Sequence, residues 1–552
     1  MAKQGNGGLT RRDLLRTIAA GSAAVAAGGV TATTAAATSA DRQDSVDVTL
    51  TTGGWPYGPI PTAEEQKVPA TKAYADSLQA WLDQNPGVKV ELVAFDVWNQ
   101  ENVITGLAGG TAPAFIQGNV IGGWGEAGIR NAWSQGLVAN VTSLLQTYEF
   151  NTKIAEYAKP MWDRAHIDNE YFAAPQSYNV GTGVHYRRDW LKEAGVPEPT
   201  PDWTWDDLRT MVKAMTTGNR RGIGLQGFGL DLRLSANGFW MLTKLPAPDT
   251  NWNWRADYMS MADTWVADIE ATRAMIFEDK SVLADIAFGD GDLLAAFNRE
   301  EIGAHTNTVV FHTPGPGSAE SVIQLEEKYK KPLDEIVGWL PMPNGANGHN
   351  ATSDPQIDLV SFSPDLDDDA LDKAVSLHAY MMGPGFVEQK VALHTALNDL
   401  RIVYDWANIT PVFSAEALTG LPGSPDEAWG KTFMDAVRAV RDRPLAPIDA
   451  WYIPPEETVG PTDDATTDMF TRWFYESGQM DIRADLQSLE ETVNSQNEGF
   501  SSSTSDDVFR SAAGQYYAAL NAHWEANAPE FHSSTFAPWY QEKIVPAVGT
   551  GA

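Results

Sequence analysis

Two stretches of this sequence have the spacing of a chemical site. Gly222-Ile223-Gly224-Leu225-Gln226-Gly227 matches the G-x-G-x-x-G pattern that cradles a dinucleotide pyrophosphate, which needs a strand before it and a helix starting at its end. Here a helical stretch and a basic turn precede it and no helix signal follows, so it reads as a loop. Asp365-x-Asp367-x-Asp369 has the opening of a calcium loop, but Ala370 stands where that loop needs glycine and Ser376 where it needs its closing glutamate. Those aspartates read instead as the cap of the helix Ala370–Met382. The nine histidines have no H-E-x-x-H or other metal-ligand spacing, and there is no G-x-S-x-G elbow, no Walker phosphate loop and no cysteine. No acidic pair stands out as a general acid and its partner. The residues therefore predict no metal, no cofactor and no catalysis of the chain's own.

What the chain has in excess is aromatic surface. Twenty tryptophans and sixteen tyrosines are present, many of them beside Gly, Pro and Asn in stretches that read as loops. Large aromatics belong in cores by default, and a loop setting weakens that explanation. The charge balance, 39 Lys and Arg against 73 Asp and Glu, gives a net −34, and −37 beyond residue 40. Such a surface repels nucleic-acid phosphates and anionic lipid, so neither is expected as a partner. At 552 residues and 43% apolar, the chain can bury more than one core, and two or three domains are expected.

The N-terminus reads as an export signal. Thr10-Arg11-Arg12-Asp13-Leu14-Leu15-Arg16 precedes an Ala/Gly/Val stretch from Ile18 to Val30 and small residues through Ala40. This order of basic, weakly apolar and small-residue segments is that of a twin-arginine signal peptide over residues 1–40, with cleavage after Ala37 or Ala40. An amphipathic helix is the alternative, and it fails because Ala19–Ala37 has no polar face and is interrupted by Gly21, Gly28 and Gly29. No later stretch approaches eighteen consecutive apolar residues, so no membrane span is expected after the signal. The missing cysteine also removes the anchor of a lipoprotein. The expected location is periplasmic or extracellular, by twin-arginine export.

The elements that must position any site begin with an α/β pattern. Val46–Thr51 reads as a buried strand and Ala70–Gln84 as a helix with Ala73, Leu78, Trp81 and Leu82 on one face. Asn85-Pro86-Gly87 is a turn and Val88–Phe95 an alternating strand. A helix over Gln100–Ala108, a short strand at Ala114–Gln117 and helices over Gly125–Gln135 and Thr142–Tyr148 follow. From Glu170 the text reads as a strand pair, then a Pro-rich turn and a helix with Thr204 as N-cap. Later come the helix Leu293–Phe297, the strands Ile302–Thr306 and Ile357–Ser363, and a helical tail after Gly499–Asp507.

In this order the chain resembles the extracellular solute-binding proteins that include maltose- and multiple-sugar-binding receptors. Six segments carry the resemblance: AGGTAPAFI from Ala108, YFAAPQSYNVGTGVHYRRDWLKEAGVPEPTPDWTWDDL, LLAAFNREEIGAHTN, VGWLPMPNG, KAVSLHAYMMGPGFVEQKV and SGQMDIRADLQSLEETVN. The resemblance implies an α/β, two-lobed, periplasmic-binding-protein-like fold of type II, with hinge crossovers and a ligand cleft between lobes. Residues 45–174 plus 307–358 would form lobe 1, 175–306 plus 359–498 lobe 2, and 499–552 a C-terminal helical extension. Where the family often has an acidic residue after Thr-x-Pro, this chain has Ala114, so that contact is not carried over. Extra segments around Asp231–Asp290, Leu418–Pro461 and after Phe500 carry Trp252, Trp254, Trp429, Trp451 and Trp524.

The ligand-binding residues implied by position are Trp55, Tyr57, Trp98, Asn119 and Trp124 from the first lobe. Gln176, Tyr178 and Asn179 come from the crossover, Asn307 follows a strand near the second crossover, and Trp451 and Tyr452 fall where maltose-type receptors place a stacking aromatic. A sugar offers apolar C–H faces to Trp and Tyr and hydroxyls to amides and carboxylates. The function so implied is capture of a carbohydrate, an oligosaccharide, by a monomeric receptor that closes on it and delivers it to ABC permease subunits. Two other readings stay open: a secreted carbohydrate-active enzyme, and a receptor for another solute such as a peptide.

Overall fold

The computed structural model describes residues 48–121, 126–155, 158–163, 165–167, 169–179, 182–225, 244–247, 253–284, 290–308, 325, 328–331, 335–345, 356–397, 409–411, 462–497 and 506–549. The proposed signal, 1–40, lies outside them. The chain opens with β1 (Val48–Thr52), α1 (Pro69–Gln84), β2 (Val88–Leu92), α2 (Gln100–Ala108), β3 (Phe115–Gln117), α3 (Glu126–Ser134), α4 (Thr142–Thr147) and β4 (Ala174–Asn179). It continues through β5 (Thr182–Arg187), α5 (Arg188–Ala194), α6 (Trp205–Met215), β6 (Ile223–Leu225), β7 (Lys244–Ala247), β8 (Asn253–Ala256), α7 (Ala262–Arg273), β9 (Val282–Ala284), α8 (Asp290–Asn298), β10 (Ala304–Thr308) and β11 (Val337–Pro341). Last come β12 (Gln356–Phe362), α9 (Asp368–Met382), α10 (Pro384–Leu397), β13 (Ile409–Pro411), α11 (Thr462–Tyr475), α12 (Ile482–Asn497) and α13 (Asp506–Asn527).

The first core is built by the predicted strand-helix-strand unit. β1 and β2 pair in parallel, Leu50 opposite Val90, and Ala114 N donates to Thr51 O at 2.9 Å, which brings β1 alongside β3. β3, β12, β4 and β13 follow in that order as an antiparallel set. Leu50, Leu78, Trp81, Phe115, Leu359, Phe362 and Val375 are buried together. α9 thus belongs to this core, as does β12, whereas the sequence reading put residues from 359 onward in the second lobe. The reason lies in the pattern of α9: Ala374, Val375, Leu377, His378 and Met381 form one buried face, and β1 and α1 offer the surface that covers it.

The second core surrounds the sheet β11-β5-β10-β6-β9. Trp190, Leu191, Leu208 and Val212 of α5 and α6 cover one set of its side chains, and Leu293 and Phe297 of α8 belong to a further cluster with Ile302, Ile336 and Val337. β11 and the last two residues of β10, Asn307 and Thr308, therefore sit with the second sheet, whereas the sequence reading put 307–358 in lobe 1. The two strands expected from Glu170 are present as β4 and β5, and they join different sheets. β4 is hydrogen-bonded on both sides by β12 and β13, and β5 on both sides by β10 and β11, so each strand is saturated within its own sheet. β4 ends at Asn179 in one sheet and β5 begins at Thr182 in the other.

The run from Gly222 reads as a loop in the sequence, but Ile223–Leu225 is a strand, parallel to both β9 and β10. Its glycines serve packing. A Cβ on Gly222 would lie 1.8 Å from Val212 O, and one on Gly224 would lie 2.7 Å from Leu293 Cδ2.

Helix ends follow the chemistry of their caps. Thr204 and Asp207 form a reciprocal capping box on α6, with Asp207 N donating to Thr204 Oγ1 (3.2 Å) and Thr204 N to Asp207 Oδ2 (2.8 Å). Ala370 N donates to Asp367 Oδ1 at 2.9 Å, so the Asp365–Asp369 run is a cap, as expected.

The segments beyond the two sheets form helical clusters. α7, α11 and α12 bury Trp265, Ile269, Phe470, Trp473, Leu486 and Leu489 together. α13 and the short helices over 529–548 close around Trp524, Phe536 and Ile544, so Trp524 is a core residue. Trp539 Nε1 donates to Asp257 Oδ2 (3.0 Å), which ties this tail to the residue after β8.

Candidate functional site

Open α/β sheets leave their ligands at the carboxyl ends of strands. At that end of β1 the chain turns through Gly53–Gly58. Thr52 Oγ1 accepts from Gly54 N (3.0 Å) and donates to Tyr57 O (2.5 Å). Gly54 has φ 97°, which glycine tolerates, and a Cβ on Gly53 would lie 2.5 Å from Phe95 O. At the far end of the loop the Tyr74 hydroxyl both accepts from Gly58 N (2.8 Å) and donates to Gly58 O (2.7 Å). Burial pushes the Tyr74 phenol up to about 12, so it remains a donor at neutral pH.

This pinned loop leaves Trp55 half-buried. Trp98 meets it with ring centroids 5.4 Å apart and planes at 61°, an edge-to-face corner. Trp98 is 51% exposed. Its backbone N donates to Asp96 Oδ1 (3.0 Å), and Asn99 caps α2 immediately after it. Leu92, 62% exposed, contributes a methyl 3.6 Å from where a Gly54 Cβ would be. These apolar groups form an exposed corner beside the strand ends, with Trp98 in the place beside Trp55 that the sequence reading gave to Tyr57.

Tyr57 and Asn119 point the other way. The Tyr57 hydroxyl is buried against His378 Nδ1 at 2.7 Å, and burial raises its pKa well above the ordinary tyrosine value. Asn119 is buried and clamps β12: its Nδ2 donates to Ile357 O (3.1 Å), and Leu359 N donates to its Oδ1 (2.8 Å). Both side chains satisfy groups inside the protein, a use that their types alone do not distinguish from ligand contact.

Gln176 occupies an irregularity. β12 pairs Leu359 with Pro175 and Asp358 with Ser177, so Gln176 is the extra residue of a bulge, a device that re-aims side chains beside sites. Its Oε1 is buried with no hydrogen-bond partner among the described residues. Gln117, at the carboxyl end of β3, accepts from Asn119 N (2.9 Å), while its buried Nε2 also has no partner among them. Gln117 and His378 were not singled out by the sequence. A polar residue closing the apolar run Ala114–Ile116 was the signal for Gln117; a lone histidine on an apolar helix face left none for His378.

Tyr178 and Asn179 are at the crossover end of β4, opposite Ile357 and Gln356, and Asn307 is opposite Gly183 in the second sheet. The backbone thus brings Asn179 and Asn307 to strand ends on either side of residues 180–181. Trp124, Trp451 and Tyr452 lie outside the described residues. Among the described residues no group of three or more His, Asp or Glu side chains is placed to hold a metal, and no helix is long and apolar enough to cross a membrane.

Comparison with known proteins places this arrangement. The sequence profile of bacterial extracellular solute-binding proteins matches residues 64–361, more than half of the chain. No curated protein matches. Among solved structures, the GacH receptor of Streptomyces glaucescens, studied unliganded and with acarbose, superposes with a TM-score of 0.51 at 15% identity, covering 82% of this chain and 98% of that one. Maltose-bound MalE3 of T. maritima gives 0.53 at 15% identity over 81% and 98%. Lmo0181 of Listeria monocytogenes, in complex with cycloalternan, gives 0.51 at 16% identity over 81% and 98%. At these identities the likeness is one of fold, that of a type II periplasmic-binding protein. With the profile match added to two sheets that take the successive strands β4 and β5, this chain belongs to the bacterial extracellular solute-binding protein family.

Proposed function

We propose that this protein is the capturing receptor of an ABC importer, that its solute is a carbohydrate of more than one ring, and that it hands the solute unchanged to permease subunits in the membrane. The observation that carries the reading is the corner of Trp55 and Trp98 at the carboxyl end of the first strands, one ring half-buried and the other 51% exposed. Ring faces of this kind suit the C–H faces of a sugar, and Gln176 Oε1 and Gln117 Nε2, which have no partner among the described residues, suit its hydroxyls. The structural relatives support the choice: their bound molecules include acarbose, maltose, cycloalternan, tagatose and mannitol. Tyr178, Asn179 and Asn307 at the strand ends of the crossover, with Trp124, Trp451 and Tyr452, complete the proposed contact set.

The two lobes would close on each other and bury the solute between them. Export by the twin-arginine route accords with Thr10–Arg16 and with a chain that has no disulfide to form outside the cytoplasm. The receptor acts as a monomer in this reading.

A thermal-shift screen of the purified protein tests it, because a ligand that binds only the folded state raises its melting temperature. Maltose, maltotriose, cyclic glucans, glycerophosphocholine and a mixed peptide pool form the panel. A shift with oligosaccharide, and recovery of that oligosaccharide uncut by mass spectrometry, is expected. A shift with peptide or glycerophosphocholine alone, or cleavage of the sugar, refutes the proposal.

A further inference from the structure

The loop that carries Trp55 and the strand that carries Gln176 are joined by a buried hydrogen-bond relay through a residue on a third element. Tyr57 Oη lies 2.7 Å from His378 Nδ1, and His378 Nε2 lies 2.9 Å from Pro175 O. A carbonyl oxygen only accepts, so Nε2 must carry the proton. In a neutral ring Nδ1 is then bare and must accept from the tyrosine O–H, and the direction of the relay is fixed as Tyr57 to His378 to Pro175. The ring has no room to depart from this. Phe150 stacks on it at 5.8 Å with planes 5° apart, Phe362 meets it edge-on at 6.3 Å, and the histidine is fully buried on the inner face of α9. Burial also holds the imidazole down at about 4, against the opposing hydrogen bond to Pro175, so it stays neutral at physiological pH.

Each end of the relay is adjacent to a proposed contact residue. Tyr57 is two residues from Trp55 in the loop that Thr52 and Tyr74 pin, and Pro175 immediately precedes the bulged Gln176. We infer that His378 is a positioning residue for solute binding: through Tyr57 and Pro175 it makes the aromatic loop and the crossover strand move as one body, so that Trp55 and Gln176 keep a fixed spacing. This inference rests on the solute-site reading above for its consequence, and on the relay geometry for its cause.

Two measurements separate the two. In protein labelled with fluorotryptophan and free of solute, the fluorine resonance of Trp55 is identified by its loss in Trp55→Phe. Tyr57→Phe and His378→Phe are expected to move that resonance, and Leu145→Val, a core truncation outside the relay, to leave it in place. A Trp55 resonance unmoved by Tyr57→Phe overturns the inference whatever the protein binds, and this conservative variant keeps the test available if His378→Phe does not fold. With a sugar that binds the wild-type protein, Tyr57→Phe is expected to raise Kd about five-fold, the scale of one hydrogen bond, and to have no further effect in a Trp55→Ala background. Equal rises in both backgrounds overturn it. A moved resonance in a protein that binds no sugar supports the relay and refutes only the sugar reading.

Discussion

His185 and His305 lie directly opposite each other on β5 and β10, their rings stacked 4.9 Å apart with planes 14° from parallel. Both are buried, and Phe297 meets His305 edge-on at 5.0 Å. Two imidazoles so placed cannot both take a proton without bringing like charges together in an apolar core.

Acid should therefore weaken the fold before most carboxylates titrate. Burial holds His305 at about 4, as it does His378, against an ordinary value of 6.5. Both folded values are depressed, so the unfolded chain takes up protons first as pH falls, and stability is lost progressively from pH 6.5 down toward 4. At pH 5 the loss is on the order of 2 kcal/mol for each histidine. Urea unfolding at pH 7, 6 and 5 measures it. A flat profile across that range contradicts the prediction, and His305→Leu is expected to reduce its slope.

Much of the first unit is legible in the sequence because local signals decide it. The helix Gln100–Ala108 is found at its expected bounds, with Asn99 capping it, and α1 begins one residue before its expected start. Where partners distant in sequence decide, the reading fails. Three residues, Ile223–Leu225, become a strand because β9 and β10 pair on both sides, which no local pattern displays. The Glu170 stretch reads as a strand pair from its alternation, but which sheet each strand joins depends on residues near 304, 337 and 356. Trp55 and Trp98 are found in contact, yet Tyr57 turns inward because a histidine 321 residues later offers a ring nitrogen.

Gly222→Ala should test what the G-x-G-x-x-G run is for. Its new methyl would collide with the Val212 carbonyl at the end of α6, a backbone group that cannot swing aside. A loss of about 3 kcal/mol in urea unfolding is expected, at the upper end of overpacking costs. Dinucleotide binding, sought by fluorescence of reduced nicotinamide, is expected to be absent in wild-type and variant alike. A variant as stable as the wild type contradicts the packing role.

Asp279 joins two elements through one carboxylate. Its side chain is 3% exposed and accepts from Arg209 Nε and Lys213 Nζ, each at 2.6 Å, both on α6. The hydrogen bond from Arg209, with Lys213 adding to it, holds the carboxyl below its ordinary value of 3.8. Its stabilising effect is present above that value and is lost as pH falls through the lower folded one. Asp279→Asn keeps the shape and removes the charge, and a loss of about 2 kcal/mol at pH 7 is expected. Equal stability of the variant and the wild type at pH 7 contradicts this prediction.

The sharpest division the structure makes is between the aromatic corner and the clamped amide, and paired substitutions expose it. Trp98 is more than half exposed, so Trp98→Ala should change folding stability by less than about 0.5 kcal/mol. If the corner holds the solute, the same change removes a ring face from the ligand, and Kd should rise at least about ten-fold, or about 1.4 kcal/mol. Trp55→Ala should do the same with a larger cost to the fold, since that ring packs against the first core. Asn119→Ala should behave in the opposite way. It strands Ile357 O and Leu359 N between β12 and β3, so stability should fall by about 2 kcal/mol while the affinity of the remaining folded protein is kept. Calorimetric titration with the sugar found by thermal shift, alongside urea unfolding of each variant, reads both quantities. Loss of affinity in Asn119→Ala with none in Trp98→Ala would move the site away from the corner and onto the end of β3.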